Sequence, residues 1–584
     1  MDSLVQSVVQ VQWPKVSAFF PYIDYAVAKC ILGDVEEPIA ALLAYLSLAA
    51  REGHLCVKID ADAIYPELTQ IAEDNQEITS LIIQGASVLT DKWVCDVSLH
   101  QLTDSPITPI CRSGRLYYLQ RCWKQESSIL KHFQKSASSA PGIILSNETV
   151  ENNLKDLEAE NKLLKEQADA IRLACSQAVT LIAGGPGTGK TYTAGELIKI
   201  YWKSMNDVDR LHCKIVLAAP TGKAAANLQK SLSRAMANID DFPGIHAKTI
   251  HSLLGIKNSG KRSDAEPINA DLILIDESSM IDASLMEELL KSVKNGARLV
   301  LLGDRHQLPP VGAGMLFSDL IQSCSKYSIE LKRCLRAELQ TIIHLASSIN
   351  KGDYASADDV LSSECSGISR IEWGSNSIKA MHQAILERAL PFFLESSKIE
   401  PESYLNTFSR FCILCPLRQG PYGVDALNEL FFRHILFSTK NDETIAIPIL
   451  LLANDARLEL SNGEIGILVK RIDKKHEGQL QVGDYALFYC HDGKNSIRKI
   501  PALALPKFEY AFCLSVHKSQ GSEFDRVLLL MPEGSERFGR EVLYTAVTRA
   551  RKHIEIWGSD AVIKSAIEMK ANRLSGMPER LTKI

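Results

Sequence analysis

Short runs of β-branched and aliphatic residues alternate with amphipathic stretches along most of this chain. VTLIAG, KIVLAAP, DLILIDE, ARLVLLGD, FCILCPL, RVLLLMP and HIEIWGS each read as a buried strand bounded by a polar turn. Strands separated by helices predict parallel α/β layers covered on both faces. The rhythm breaks between about 445 and 507, where alternating strand-like runs and the turns of NDARLELSNGEIG and CHDGKN predict a small all-β insertion.

Upstream the pattern differs. Residues 1–135 mix short apolar runs with aromatics, as in LYYLQRCW (Leu116 to Trp123), and predict a separate, mainly helical domain. QKSASSAPG (Gln134 to Gly142) is small, polar and proline-punctuated, as a linker should be. Val150, Leu154, Leu157, Asn161, Leu164, Ala168 and Ile171 then recur at spacings of four and three, one stripe of a long helix. A coiled coil with Asn161 at a polar seam position fits that stripe. A helix packed on its own domain fits it better, because the heptads do not extend far. The expected division is 1–135, a linker and long helix over 136–166, a first α/β domain over 167–330 with a small insertion near 255–270, and a second over 331–584 carrying the β insertion.

Composition narrows the class. With 584 residues, 46% hydrophobic and 23% charged, the chain is globular rather than disordered. Its longest apolar runs, Ile445 to Ala453 and Pro38 to Leu46, fall short of the roughly 18 residues a membrane span needs. The start, MDSLVQSVVQVQWPKV, has neither a basic n-region nor a long apolar core, so a soluble, cytoplasmic protein is expected. Lys+Arg 65 against Asp+Glu 70 gives a net charge of −5, so any nucleic-acid contact should be confined to a groove. Of 14 cysteines only Cys412 and Cys415 form a C-x-x-C. Their context, FCILC, reads as a strand of reduced thiols rather than a metal or redox site.

The strongest chemical motif follows VTLIAG. Gly184, Gly185, Pro186, Gly187, Thr188, Gly189, Lys190 and Thr191 form a glycine-rich turn ahead of the helical YTAGELIKIYW. Such a turn wraps backbone N–H groups around phosphates, Lys190 reaches the β and γ oxygens, and the Thr191 hydroxyl holds Mg²⁺. DLILIDESSM ends a strand in two acids: Asp276 suits the Mg²⁺ through water, and Glu277 suits the attacking water. Together they predict an NTP hydrolase without saying what the energy drives. In LVLLGDRHQLPPVGAG, Gln307 is a candidate γ-phosphate sensor. LAAPTGKAAANL places Thr221, Gly222 and Lys223 at a strand-to-helix transition suited to a polynucleotide phosphate, and KTIHSLLG adds His251.

LSVHKSQGSEFDRV and LYTAVTRARK complete a set whose order, over about 165–560, resembles superfamily 1 helicases. The resemblance implies two RecA-like motor domains, ATP and Mg²⁺ as cofactors, and single-stranded nucleic acid held between motifs. Residue by residue, it implies Gln167 as an adenine reader and Arg549 and Arg336 as arginine fingers. It assigns Thr221, Lys223, His251, His517, Lys518 and Ser519 to the strand groove, and Gly521 and Glu523 to the nucleotide. Glu166 stands where the family usually has a Trp, and Cys334 and Leu335 precede Arg336 where an aromatic is common.

REGHLCVKID, GRLYYLQRCWKQE, CPLRQGPYGVDALNEL and NDARLELSNGEIGIL are similar to the corresponding stretches of the RecD family, the alpha subunits of exodeoxyribonuclease V. That resemblance implies an N-terminal domain docking on a RecC-like subunit, a 5′→3′ motor beside a RecB-like one, an SH3-like insertion near 445–507, and action on double-stranded DNA ends. No second set of clustered carboxylates with a Lys stands at nuclease spacing, so cutting is expected to reside in the partner. Two alternatives stay open: a free-standing 5′→3′ helicase without such partners, and an assembly subunit whose P-loop is structural. The motifs do not separate DNA from RNA.

Overall fold

The computed structural model describes residues 13–581, apart from 69–75, 99–106, 238, 240–241, 243, 257–266, 335–339, 364–366, 374–376, 398–399, 409, 441–442, 456, 474–478 and 491–495. Two parallel sheets form its frame. The first runs in the order Ser328–Leu331, Val179–Gly184, Arg298–Gly303, Leu272–Ile275, Ile215–Ala219, Ala247–Thr249. The second runs Ile368–Glu372, Ala550–Gly558, Phe524–Met531, Phe411–Cys415, Cys513–Ser515. All pairings in both are parallel. The expected α/β architecture of two RecA-like motor domains is therefore present, and each of the seven apolar runs singled out above lies on one of these strands.

Side chains on a strand alternate between faces, so a strand buried on both sides supplies two cores. Val179, Leu181, Ile273, Ile275, Leu299 and Leu301 face one cluster, while Ile182, Leu272, Leu274, Val300 and Leu302 face another. The second sheet divides likewise, with Ile413, Leu528 and Leu530 on one side and Cys412, Leu414, Val527 and Leu529 on the other. The Cys412 and Cys415 thiols are buried in these two cores.

The insertion is a five-stranded antiparallel sheet in the order Ile497–Pro501, Tyr485–Tyr489, Ile465–Arg471, Thr444–Leu451, Phe508–Tyr510, the SH3-like element expected there. Most of the expected insertion near 255–270 lies outside the described residues.

Two expectations need correction. The stripe from Val150 to Ile171 is not one long helix: Asn147–Ala159 and Lys165–Ser176 are separate, and Asn161 between them has φ 54°. Asn tolerates the left-handed region better than most residues, so it breaks the helix rather than filling a seam. Both pieces pack into the first motor domain through Val150, Leu154, Ala168 and Ile171. Gln134 to Ser138 belong to the helix Gln120–Ser138, so the linker starts at Ser139. The N-terminal domain is mainly helical but also carries a five-stranded mixed sheet, and its apolar core is continuous with one face of the first motor sheet.

The C-terminal segment closes the molecule. Beyond the helix Asp560–Glu568 the chain crosses back, and Met577 and Leu581 bury themselves in the core shared by the N-terminal and first motor domains. No helix among the described residues is long and apolar enough to cross a membrane.

Candidate functional site

In a parallel sheet the loops leaving the carboxyl ends of the strands share one edge. Gly303 pairs with Ala183 and Leu301 with Ile275, so the segments after Gly184, Ile275 and Gly303 emerge together. These carry the phosphate loop, the acid pair and Gln307.

The loop after Gly184 turns through Gly187 (φ 75°) and Gly189 (φ 84°), conformations open to glycine at little cost, and the helix Lys190–Lys203 begins directly behind it. Thr188 Oγ1 donates to the Gly185 carbonyl (2.8 Å), and Lys190 Nζ donates to the carbonyls of Gly184 (2.6 Å) and Gly185 (3.1 Å). A Cβ at Gly185 would stand 3.2 Å from the Tyr544 hydroxyl of the opposite domain. Backbone N–H groups, a lysine and a helix N-terminus in this arrangement suit a polyphosphate.

Asp276 ends the strand Leu272–Ile275, and its Oδ1 accepts from Glu277 N (2.8 Å). Glu277 adopts φ 53°, a strained conformation for a non-glycine residue. Burial raises the carboxyl pKa of both; for Glu277 the adjacent Asp276 raises it further, while Arg549 and Lys190 oppose the shift. Glu277 Oε2 and Gln307 Oε1 are buried without a hydrogen-bond partner among the described residues. Buried polar atoms of this kind cost stability unless another group satisfies them. Lys190, the acid pair, these two orphaned oxygens and Arg549 thus form a donor and acceptor set that fits a nucleotide triphosphate with a divalent cation.

Arg549 comes from the second domain and is buried, with Nε donating to Thr545 O (3.1 Å) and Nη1 to Ser522 O (3.1 Å). The other expected finger, Arg336, lies outside the described residues. Gln167 is buried; its Nε2 donates to Thr188 O (3.1 Å) and its Oε1 accepts from Leu164 N (3.0 Å). The amide expected to read adenine is here bonded within the chain, bracing the phosphate loop. Glu166, in the usual Trp position, accepts from Arg333 N (2.8 Å).

The strand-groove candidates are less uniform. Thr221 caps the helix Gly222–Met236, accepting from Ala224 N (3.2 Å). Gly222 abuts the SH3-like insertion, where a Cβ would come within 2.3 Å of Ser461 Cβ. Lys223 Nζ lies 5.7 Å from the Phe524 ring centroid, and desolvation, with Arg549 nearby, pushes its ammonium down to about 8. It therefore sits in the seam between the motor domains. His251 is exposed on its short helix. Lys518 pairs with Glu509 (2.5 Å), Ser519 is buried with Oγ donating to Val516 O (2.7 Å), and burial together with Arg573 lowers the His517 pKa. Gly521 packs against Ala224, and its carbonyl accepts from Asn227 Nδ2 (2.8 Å). Glu523 pairs with Arg551 (3.0 Å).

Sequence reasoning missed three residues that join the cleft. Asp304 Oδ2 accepts from Tyr544 Oη (2.9 Å), and Thr545 Oγ1 accepts from Leu308 N (2.9 Å). Tyr544 and Thr545 stand in LYTAVTRARK, and Asp304 ends ARLVLLGD, but nothing local pairs them.

Known proteins place these observations in context. An AAA domain family model matches residues 162–368, and a UvrD-like helicase C-terminal domain model matches residues 510–555. The RecBCD enzyme subunit RecD of Mycolicibacterium smegmatis is 30% identical over 587 residues, covering 96% of this chain and 97% of its own. That of Haemophilus influenzae is 27% identical, covering 96% and 97%. The ATP-dependent RecD2 DNA helicase of Deinococcus radiodurans is 29% identical over 72% of this chain and 53% of its own length. Among solved structures, the Pif1 helicase of Candida albicans matches 69% of this chain and 96% of its own at 18% identity and a TM-score of 0.39.

Proposed function

Because this chain belongs to the RecD family and is an ATP-dependent DNA helicase, we propose that it is the 5′→3′ motor subunit of a RecBCD-type helicase-nuclease. It would work in the cytoplasm beside RecB-like and RecC-like chains, unwinding double-stranded DNA ends for recombinational repair. The observation that carries the assembly reading is the likeness to RecD subunits over nearly the whole chain, and the hydrolytic part rests on the convergence of Lys190, Asp276 and Glu277 from one RecA-like domain with Arg549 from the other.

ATP is the substrate of this cleft. The loop Gly184 to Gly189 and Lys190 would bind its phosphates, and Thr191 with Asp276 would hold Mg²⁺, which supplies charge neutralisation to the γ-phosphate. Glu277 would take the proton of the attacking water, and its raised pKa suits a group that must accept a proton near neutrality. Arg549 would leave the carbonyls it now holds and stabilise charge on the departing phosphoryl group, while Arg336 would add a second cation. Gln167 would read the adenine edge once its amide exchanges its bonds to Thr188 O and Leu164 N.

Strand grip would come from Thr221, Gly222, Lys223, His251, His517, Lys518 and Ser519, as phosphate contacts blind to sequence and weakened by salt. Gly222, Lys223 and Gly521 lie where the two domains and the insertion meet, so opening the cleft would alter that grip. No nuclease role is assigned to this chain.

Unwinding of duplexes carrying a 5′ or a 3′ single-stranded tail tests the proposal, with the chain alone and with RecB-like and RecC-like chains. In a trio whose RecB-like motor is inactivated, only the 5′-tailed duplex should open. Opening of only the 3′-tailed one would overturn the polarity, and failure to co-purify with either partner would favour the free-standing helicase.

A further inference from the structure

The Gln307 loop belongs to the first motor domain by sequence, yet the second domain holds it on both flanks. Before Gln307, Asp304 Oδ2 accepts from Tyr544 Oη (2.9 Å) and, more weakly, from Gln307 Nε2 (3.4 Å). After Gln307, Leu308 N donates to Thr545 Oγ1 (2.9 Å), and the Leu308 side chain is buried in the core of the second domain with Val542, Leu543 and Ala546. Asp304, Gln307, Tyr544 and Thr545 are all buried.

This geometry couples two facts. Gln307 uses its Nε2 on Asp304 and keeps its Oε1 buried without a partner among the described residues, as Glu277 keeps its Oε2. An amide has one flat head, so fixing the nitrogen fixes the direction of the oxygen. Tyr544 shares the carboxylate oxygen that fixes it, and its hydroxyl also stands over Gly185 of the phosphate loop. Burial and the Asp304 carboxylate push the phenol far above its ordinary pKa, so it remains a donor at any working pH.

We propose that Tyr544 is a positioning residue for ATP hydrolysis, orienting Gln307 through Asp304 so that the sensor is aligned only when the second motor domain is seated on the first. The relay makes hydrolysis conditional on closure without touching the reacting atoms. Opening the cleft withdraws the hydroxyl, and the Asp304–Gln307 contact, already long, is released to other partners. The proposal rests on the reading of the cleft as the hydrolytic site.

Its test compares strand-stimulated ATP turnover by the full chain with Tyr544→Phe, Asp304→Asn, the double variant and Lys190→Ala. Tyr544→Phe keeps the buried ring and removes one hydroxyl. Each single change should lower kcat about tenfold or more with KM for ATP within about twofold, because alignment rather than ground-state binding is lost. The double variant should lose no more than the worse single one, since both act on one relay. Wild-type kcat in Tyr544→Phe, or losses that multiply in the double variant, would overturn the proposal alone. Full turnover by Lys190→Ala would overturn the cleft reading and the proposal together.

Discussion

Arg580 and Glu126 lie 454 positions apart and form a 3.0 Å ion pair in which neither side chain is exposed. The segment around Arg580 is thereby pinned to the N-terminal domain. Glu126 also accepts from Gly576 N (3.0 Å), Arg580 donates to Ser127 Oγ (2.8 Å), and the guanidinium lies 4.0 Å from the Trp123 ring centroid. Burial still raises the Glu126 pKa despite Arg580, so the carboxylate depends on its partner. Arg580→Met should destabilise the folded chain by about 3–5 kcal/mol, because it strands a buried charge. Adding Glu126→Gln should recover part of that loss. The shift in denaturant midpoint for the single and double variants checks both statements.

The same C-terminal segment contacts Asp319, whose Oδ2 accepts from Ser575 Oγ (2.7 Å). Enclosure pushes its carboxyl up to about 7, with Glu126 adding to the shift and Ser575 and Lys570 opposing it. An acid raised in this way binds more protons folded than unfolded between the two values, so its contribution to stability falls as pH rises from its ordinary value towards 7. Asp319→Asn keeps the acceptor and removes the titration. Its stability relative to the parent should improve by roughly 4 kcal/mol between pH 4 and pH 8. Thermal midpoints that shift equally at both pH values would contradict the assignment.

Glu277→Gln should retain nucleotide binding and lose turnover, since it removes the proton acceptor and little of the binding set. Arg549→Ala should lower kcat by roughly 10³ or more with little change in KM. For the parent, the raised Glu277 pKa predicts that kcat declines on the acid side at a pH above the ordinary carboxylate range. Steady-state profiles with and without single-stranded DNA check all three.

Gly222 has no room for a side chain beside Ser461. Gly222→Ala should force the insertion away from the helix Gly222–Met236 and weaken binding of single-stranded DNA several-fold, with ATP binding unaffected. Ser461→Gly in the same chain removes the obstructing Cβ and should restore affinity. Fluorescence anisotropy with a labelled oligonucleotide measures both, and failure of the rescue would show that the contact is not what matters.

Legibility in the sequence followed burial. The seven central strands are apolar on both faces and announce themselves, as does the insertion through its alternation. Ala247–Thr249, Ser328–Leu331, Ile368–Glu372 and Cys513–Ser515 went unread, and all four are edge strands. An edge strand is paired on one side only and is often short and mixed in polarity, so its pattern fades. Asn161 fits a helical stripe by spacing, but a single left-handed residue ends the helix without disturbing the apolar positions around it. The phosphate loop and acid pair were visible because contiguous residues build them. Tyr544–Asp304 and Arg580–Glu126 were not, because each joins segments hundreds of residues apart. The motif of Lys223 suggests a strand-groove residue but does not show that its side chain reaches Phe524 of the second domain, which only tertiary packing determines.

The central claim is that this cleft couples ATP hydrolysis to a single strand of DNA. Steady-state ATP hydrolysis by the purified chain, with and without single-stranded DNA and with Lys190→Ala as control, tests it most directly. Strong stimulation by the strand that disappears in Lys190→Ala is the predicted result. Turnover unaffected by the strand, both in the folded chain and after reconstitution with RecB-like and RecC-like partners, would contradict the account, and absence of turnover in both would leave the nucleotide site a structural one.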